Sequence, residues 1–311
     1  MKGIMYHYIR KANSLLPNFK YLDIEDFRKQ LDYFQDKFGF VTKEDFINSF
    51  DTRKPVSGVV LTFDDGLKDH YEFVLPELLS RNLWGIFYVP YKASERKRLL
   101  GPHGLHMLLG KFGGQMILEN LSTRVSKKIL SHEHIKAFQT LAYKGLTDDR
   151  ASTEVKRILN YYIDEKHREQ VIDDLINYFF KNEPIKIKDF YLSAEEIKKV
   201  AEAGMIVGAH TINHPVMSKL NYKEQEKEIL PCFEFLEKII DQDSIRTYCH
   251  PYGGDFSFNK DTEKILENAH CLFSFSVEPR DIESADLKNH RQSLPRYDCN
   301  IFPHGQVRSI V

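Results

Sequence analysis

The chain has 311 residues, with 44 Lys and Arg against 45 Asp and Glu, and a formal net charge of −1 at pH 7. This balance gives no electrostatic reason to expect nucleic acid or an anionic membrane as a partner. The apolar content of 42% is typical of a globular protein. No segment approaches the roughly 18 apolar residues of a transmembrane segment. We therefore expect a globular protein whose partner is small or uncharged.

The first ten residues predict a strand. They are too short for a signal peptide, because His7 and Arg10 interrupt the apolar run. The four cysteines are far apart and form no Cys-x-x-Cys pair. We therefore expect reduced thiols in a cytoplasmic protein.

Strands and helices alternate in the first part of the chain. Asp23 is placed to cap a helix that ends near Gly39 and carries its apolar residues on one face. A second helix is predicted near 43–50, a strand at 59–63, a helix over 71–79 and a strand at 84–89. Repeated strand-helix-strand units predict a parallel sheet.

The alternation stops near residue 91 and resumes near 191. Residues 92–190 are charged, mostly helical in periodicity and poor in strand patterns. We interpret them as an α-helical insertion within one catalytic domain that spans residues 1–311, rather than as an independent domain.

The pattern then returns. Ser193 and Glu196 form a predicted capping box, and Gly204 ends that helix before a strand at 205–209. Asn221 begins a long helix to residue 240 that is expected to bend at Pro231. A strand at 245–249, a helix at 261–269 and a strand at 271–277 follow.

Three predicted strands end in polar residues. Asp64 and Asp65 follow the first, the segment from His210 to His214 follows the second, and a segment beginning at His250 follows the third. In a parallel barrel all strand carboxyl ends open on one face, so these segments converge there.

The convergent residues include ligand types suited to a transition metal. Two histidines four residues apart, His210 and His214, can bind one ion, and a carboxylate from the Asp64-Asp65 turn can complete a set with an open position. A zinc-like metal lowers the pKa of bound water from about 15.7 to about 7, which makes it a nucleophile near neutral pH.

These motifs resemble those of the NodB-homology polysaccharide deacetylases, carbohydrate esterase family 4. The matching segments are Thr62-Phe63-Asp64-Asp65-Gly66, His210-Thr211-Ile212-Asn213-His214 and Pro251-Tyr252-Gly253. The resemblance covers roughly residues 1–91 and 191–300. It implies an α/β fold, a distorted (β/α)7-type barrel with a large helical insertion, that removes N-acetyl groups from amino sugars with a divalent metal, most often Zn²⁺.

The resemblance also implies residue roles. Asp64 would be the general base, and the metal ligands would be Asp65, His210 and His214. The backbone N–H of Tyr252 would stabilise the oxyanion, and one such donor contributes about 3–4 kcal/mol.

The chain departs from the family pattern in two places. Cys249 stands where many members have arginine, and the late strand reads Leu294-Pro295-Arg296 where many members have a Leu-x-His motif. The general acid is therefore open. His250 is the nearest candidate by sequence position, with His103 and His106 as alternatives from the insertion.

Other residues are candidates for substrate contacts. Arg296 cannot act as an acid, but it could hold Asp64 or a substrate oxygen. His7 ends the first strand and could face the site, although a histidine in this position is more often structural. We therefore assign His7, His103 and Arg296 as possible substrate-binding residues.

The sequence thus predicts a metal-dependent hydrolase that removes an N-acyl group from an amino sugar of a surface polysaccharide or its precursor. A deformylase of a lipid-linked or nucleotide-linked sugar is a related alternative. A catalytically impaired metal-containing barrel that binds saccharide or a partner protein is another. The sequence leaves the oligomeric state open.

Overall fold

The computed structural model describes residues 1–95, 98–142, 148–240 and 245–310. The chain forms two compact units. The first comprises Met1–Lys11, Tyr21–Arg98 and Ile187–Val307, and the second comprises Ala12–Lys20, Leu99–Lys186 and Arg308–Val311. All the sheet strands and the three polar segments belong to the first unit.

A parallel seven-stranded sheet organises the first unit. Its strands are β1 (Lys2–Tyr6), β2 (Val59–Phe63), β3 (Ile86–Val89), β4 (Ile206–Ala209), β5 (Thr247–Cys249), β6 (Phe273–Phe275) and β7 (Tyr297–Asp298). Their spatial order is β6-β5-β4-β3-β2-β1-β7. Every neighbouring pair is parallel, with Lys2 opposite Val59 between β1 and β2. A separate parallel pair joins Ile9–Arg10 to Leu22–Asp23.

The segment that ends in β7 connects β6, at one side of the sheet, with β1 near the other side. Leu294 forms a parallel bridge with Phe275 of β6, and three residues later Tyr297 pairs with Ile4 of β1. The sheet is therefore curled, and the predicted distorted (β/α) barrel is confirmed.

Helices alternate with the strands along the chain. The α-helices of the described residues are α1 (Ile24–Lys37), α2 (Lys43–Thr52), α3 (Leu75–Ser80), α4 (Tyr91–Ser94), α5 (Gly101–Phe112), α6 (Gly114–Arg124), α7 (His132–Phe138), α8 (Arg150–Arg157), α9 (Glu165–Phe179), α10 (Ala194–Glu202), α11 (Tyr222–Glu237), α12 (Lys260–Asn268) and α13 (Ser284–Asn289). Two π-helical turns, His70–Val74 and Ile158–Tyr162, precede α3 and α9.

The predicted helix starts agree with the structure. Asp23 accepts a hydrogen bond from Glu25 at the start of α1. Ser193 and Asn221 each form a capping box, at α10 and α11 respectively. These caps satisfy backbone N–H groups that the first turn of a helix leaves without an intrahelical partner. Pro231 lies inside α11, as expected. The helix predicted over 71–79 differs, because it begins as the π-helical turn His70–Val74.

The two faces of the sheet belong to different apolar clusters. Val59, Leu61 and Phe63 pack in one cluster with α1, α3 and α11, whereas Val60 belongs to another with Tyr88 and residues of α2. Side chains along a strand alternate between its two faces, so Thr62 lies on the same face as Val60. Asp64, two residues after Thr62, continues that face. The sheet therefore carries Asp64 at its inner edge.

The second unit contains the helices α5 to α9, the 3-10 helix Lys127–Ile129, the π-helical turn Ile158–Tyr162 and one isolated antiparallel bridge between Leu130 and Ile163. The buried Arg168 donates to Asn160 and to the Leu159 carbonyl. The helical character predicted for this segment is confirmed, and its status as an insertion rather than an independent domain stays a prediction. Within the described residues, no helix has the length and apolar character needed to cross a membrane.

Candidate active site

The turn after β2 brings two carboxylates to the strand end in different directions. Asp65 has φ = 80° and Gly66 has φ = 59°, so the chain turns sharply directly after Asp64. A left-handed backbone is uncommon for a residue with a side chain and costs about 1–3 kcal/mol. Both carboxylates are buried. The turn therefore directs Asp65 toward the histidines that follow β4, while Asp64 faces the interior of the sheet.

Asp65, His210 and His214 form one cluster. Asp65 Oδ1 lies 3.4 Å from His210 Nε2 and 3.5 Å from His214 Nε2. The three potential ligand atoms lie within 4.8 Å of one another, and the two imidazole rings meet edge to face. One carboxylate oxygen and two imidazole nitrogens form a donor set that suits zinc, so these residues fit a divalent metal.

A backbone carbonyl fixes the orientation of the His210 ring. Its Nδ1 lies 2.7 Å from the Cys249 carbonyl, so Nδ1–H donates and Nε2 points at Asp65. A backbone carbonyl on the far nitrogen is the usual support of a metal-binding histidine. Burial alone would lower the pKa of His210, yet its pKa lies well above its usual value, and the hydrogen bond to Asp65 and the charge of Asp64 are among the contacts that raise it.

Asp64 is held by Arg296. The guanidinium donates to both carboxylate oxygens, each at 2.9 Å, and also to Thr62 Oγ1 at 2.7 Å. The sequence left two roles open for Arg296, which could hold Asp64 or a substrate oxygen. Because Arg296 is fully buried, only the contact with Asp64 fits its position. Burial alone would raise the pKa of Asp64, yet Arg296 reverses this and holds the pKa below its usual range.

Cys249 completes this buried group. Its sulfur lies 3.3 Å from Asp64 Oδ2 and 2.9 Å from Arg296 Nη2. Burial raises the pKa of the thiol, so it is neutral and contacts the ion pair without adding charge. Gly3 makes room beside Arg296, because a Cβ at that position would lie 3.0 Å from the arginine Cγ. The guanidinium therefore reaches Asp64 from the segment before β7, and Cys249 occupies the neighbouring space on β5.

His250 is enclosed in the protein. Its Nε2 lies 2.7 Å from the Gln292 carbonyl and 3.0 Å from Ser274 Oγ, and its ring stacks on Phe258 with centroids 3.8 Å apart. Burial lowers its pKa to about 3. A buried, neutral imidazole that is bonded within the wall does not fit the position of a general acid near neutral pH.

His7 lies at the accessible edge of the cluster. Its Nε2 is 3.9 Å from Asp65 Oδ2, and 40% of its side chain is exposed. The backbone carbonyl of His7 accepts a hydrogen bond from His70 in the π-helical turn, at 2.9 Å. The sequence left open whether His7 faces the site or is structural, and the structure puts it beside Asp65.

The third polar segment brings Tyr252 next to the histidines. Its ring meets that of His214 with centroids 5.0 Å apart, and its φ of 62° is left-handed. Gly253 follows with φ = 69°, and a Cβ there would lie 2.2 Å from Val277. Glycine is therefore required at this position by both the backbone conformation and the available space.

The remaining candidates lie in the second unit. His103 is buried within α5, with the ring of His106 6.3 Å away between centroids. Their assignment as a possible substrate contact or acid stays a prediction.

Apart from Arg296, the groups that surround and hold the Asp64 and Arg296 pair were not predicted from the sequence. Thr62, Cys249 and the Ser276 carbonyl, which accepts from Arg296 Nε at 3.1 Å, all belong to the buried group. Only Thr62 carried a usable signal, because it lies two residues before Asp64 on the same strand face.

The fold and the grouped side chains define a parallel (β/α)-type barrel with a carboxylate and histidine site at the carboxyl ends of its strands. The family model described as "Polysaccharide deacetylase" matches residues 51–272, so the chain belongs to the polysaccharide deacetylase family. No curated protein matches this chain in sequence.

Solved structures with the same fold include several described as deacetylases. The Streptococcus pyogenes deacetylase PplD, in complex with acetate, has a TM-score of 0.58 and 16% identity, covering 96% of this chain and 91% of that one. IcaB from Ammonifex degensii has a TM-score of 0.51 and 16% identity, with coverage of 88% and 82%. A de-N-acetylase from Aggregatibacter actinomycetemcomitans has a TM-score of 0.54 and 12% identity, with coverage of 95% and 93%.

Proposed function

We propose that this protein is a metal-dependent hydrolase that removes an N-acetyl or other N-acyl group from an amino sugar of a surface polysaccharide or its precursor. The observation that carries the proposal is the pairing of the Asp65, His210 and His214 cluster with a separate carboxylate, Asp64, that Arg296 keeps ionised. The proposed ligands and the proposed base are thus distinct groups within one site.

Asp65, His210 and His214 would hold the cation, for which Zn²⁺ is our first choice. When bound, it would polarise the acyl carbonyl and acidify a water molecule. This assignment rests on the donor set and on the support of His210 by the Cys249 carbonyl.

Asp64 would accept the proton of the attacking water. Its paired oxygens are fixed in direction by two hydrogen bonds to Arg296, and the depressed pKa keeps the carboxylate available as a base at neutral pH. The backbone N–H of Tyr252 would donate to the oxyanion, as the family pattern implies.

We assign the general acid to His7 rather than to His250 or His103. His7 lies beside Asp65 and is accessible, whereas His250 is buried, bonded to Gln292 and Ser274, and neutral. His7 would protonate the amine as the C–N bond breaks. His250 would instead connect β5 to the segments that carry Ser274 and Gln292.

The two alternatives differ from this proposal in ways that can be measured. A deformylase would use the same groups and differ in its acyl pocket. A non-catalytic binder would not need a general base. The two hydrogen bonds by which Arg296 orients Asp64 therefore argue against this alternative.

The test measures metal content and acyl release together. We expect about one zinc per chain in the wild type, loss of zinc in His214→Ala, and retained zinc without turnover in Asp64→Asn. Release of acetate or formate from N-acylated amino sugars would then separate the deacetylase from the deformylase. A wild-type chain that binds zinc and releases neither would favour the binder, and one that binds no zinc after reconstitution would refute the proposal.

A further inference from the structure

Two of the proposed ligands lie at the ends of one short loop with a strained backbone. Between His210 and His214, Thr211 has φ = 63°, and His214 itself has φ = 56°. A left-handed backbone is strained for a residue with a side chain and persists only where its surroundings stabilise it. The relative placement of the two imidazoles therefore depends on whatever holds this loop in its bent form.

A single carboxylate on α11 binds the middle of the loop. Glu228 Oε2 accepts from the backbone N–H of Ile212 at 3.1 Å and of Asn213 at 2.8 Å. Its other oxygen, Oε1, accepts from the Asn213 side-chain amide at 2.6 Å. Hydrogen bonds to a charged acceptor are stronger than bonds between neutral groups.

The opposite side of the loop is bound by the start of α4. The backbone N–H of Tyr91 donates to the Thr211 carbonyl at 2.9 Å, and that of Lys92 donates to the Ile212 carbonyl at 3.2 Å. Lys92 Nζ also donates to Asn213 Oδ1 at 2.8 Å. The backbone groups of the loop are therefore held between the N-terminus of α4 and the Glu228 carboxylate.

The loop also has an internal bond. His214 N–H donates to Thr211 Oγ1 at 3.0 Å, which closes the turn between the two ligands. This bond sets the local bend but cannot orient the loop relative to Asp65, because both partners lie within the loop itself. That orientation must come from neighbouring elements.

We propose that Glu228 is a positioning residue that fixes the mutual placement of His210 and His214 and thereby sets the affinity of the site for a divalent cation. This inference rests on the proposed function, in which these histidines are ligands. Groups that orient metal ligands without touching the metal typically contribute 10–100-fold to affinity.

The isosteric change Glu228→Gln tests this role. It replaces one carboxylate oxygen with an NH₂ group, which cannot accept from the loop and faces N–H donors. Zinc affinity of the full-length chain is measured by competition with a chelating indicator, beside thermal unfolding of the zinc-free protein. We expect a dissociation constant about 10–100-fold higher than in the wild type. Glu234→Gln, an exposed position on the same helix, is the matched control and is expected to bind zinc like the wild type.

Asn213→Ala provides a second variant that keeps Glu228 intact. It removes the 2.6 Å bond to Glu228 and the bond to Lys92, so zinc affinity should fall here as well. The double variant should bind little more weakly than Glu228→Gln alone, because both changes release the same loop. Asn213→Ala also keeps the test decisive if Glu228→Gln does not fold.

The outcomes separate this inference from the proposed function. Unchanged zinc affinity in Glu228→Gln, with or without a lower melting temperature, would overturn the positioning role and leave the metal site standing. If Glu228→Gln does not fold, unchanged affinity in Asn213→Ala has the same meaning. A wild-type chain that binds no zinc would overturn both.

Discussion

At the scale of single residues, the main feature is a charged pair that is buried in the protein interior beside the strands of the sheet. Asp64 and Arg296 are buried among Thr62, Cys249 and Tyr88. Removing two charges from water costs several kcal/mol per ion, and replacing such a pair with apolar residues is often neutral or stabilising. Compared with apolar residues in the same place, the pair therefore adds little to the free energy of unfolding. We explain its presence by the need to keep the proposed base, Asp64, ionised.

Arg296→Gln should move the acid limb of the pH–rate profile. Without the guanidinium, burial of Asp64 is no longer offset, so its pKa rises and the base is lost at a higher pH than in the wild type. We expect the acid limb of kcat/KM to shift upward by about one unit or more. Stability should fall by about 3–5 kcal/mol, because one buried charge is left alone.

Arg296→Lys separates these two effects. A lysine keeps the charge but cannot make the bidentate bond, so the limb should shift less than in Arg296→Gln. An acid limb that does not move in either variant would mean that Asp64 is not the titrating base.

His7→Gln tests the assignment of the general acid. The amide can still form hydrogen bonds but cannot donate a proton to the amine, so kcat should fall by about 10²–10⁴-fold while bound zinc is retained. His250→Gln is the matched comparison, and its kcat should fall far less than that of His7→Gln. A large loss of kcat in His250→Gln but not in His7→Gln would reverse the assignment.

At the scale of elements, the site is built from turns that follow strands. Asp65, Thr211, His214 and Tyr252 are left-handed, and they belong to the turns after β2, β4 and β5. The strands run parallel, so their carboxyl ends lie at one edge of the sheet, and each turn starts from that edge. Helix caps fix where the following helices begin and thus how the turns are held.

The Ser193 capping box offers a test of one such element. Ser193 accepts from Glu196 N–H, and Glu196 accepts in return from the Ser193 backbone and also pairs with Lys68. Ser193→Ala should lower the free energy of unfolding by about 1 kcal/mol in urea titration, through loss of the cap. Ser57→Ala, at an exposed loop position, should change it by less than about 0.5 kcal/mol. Equal effects in both variants would contradict a specific capping contribution.

At the scale of the whole molecule, buried imidazoles make the folded state sensitive to acid. Burial lowers the pKa of His70 to about 4 and that of His250 to about 3. Both remain neutral in the folded chain while the unfolded chain takes up protons below its ordinary pKa of about 6.5. Their contribution to stability is therefore complete above that value and is lost as the pH falls through the lower folded values.

We expect the free energy of unfolding to decrease below pH 6.5, by up to about 1.4 kcal/mol per pH unit for each imidazole. His250→Gln should reduce this slope between pH 6 and pH 4 by about one proton. Asp64, with its depressed pKa, adds to the loss only at lower pH, near and below the ordinary carboxyl range. Urea titrations at several pH values measure the slopes, and equal slopes in the two proteins would show that His250 is not protonated on unfolding.

The parallel barrel could be predicted because its signals are local and repeated. Strands such as β2 have continuous apolar residues, and helices α1, α10 and α11 begin at recognisable caps. The convergence of the Asp64-Asp65 turn with His210 and His214 was also predictable, since parallel strands end at one edge. The choice of Asp65 as the metal ligand came from the family resemblance. The structure agrees with each of these at the level of geometry.

The sequence by itself determined the strand and helix order and the convergence of the polar segments at the strand ends, because these depend on periodicity and on the parallel arrangement of the strands. Only the tertiary structure decided that Arg296 pairs with Asp64 across 232 residues, that His250 is enclosed while His7 is accessible, and that Glu228 binds the histidine loop. Those contacts join side chains from separate elements. They depend on how strands align and on which side chains are excluded from water, and no local pattern encodes either.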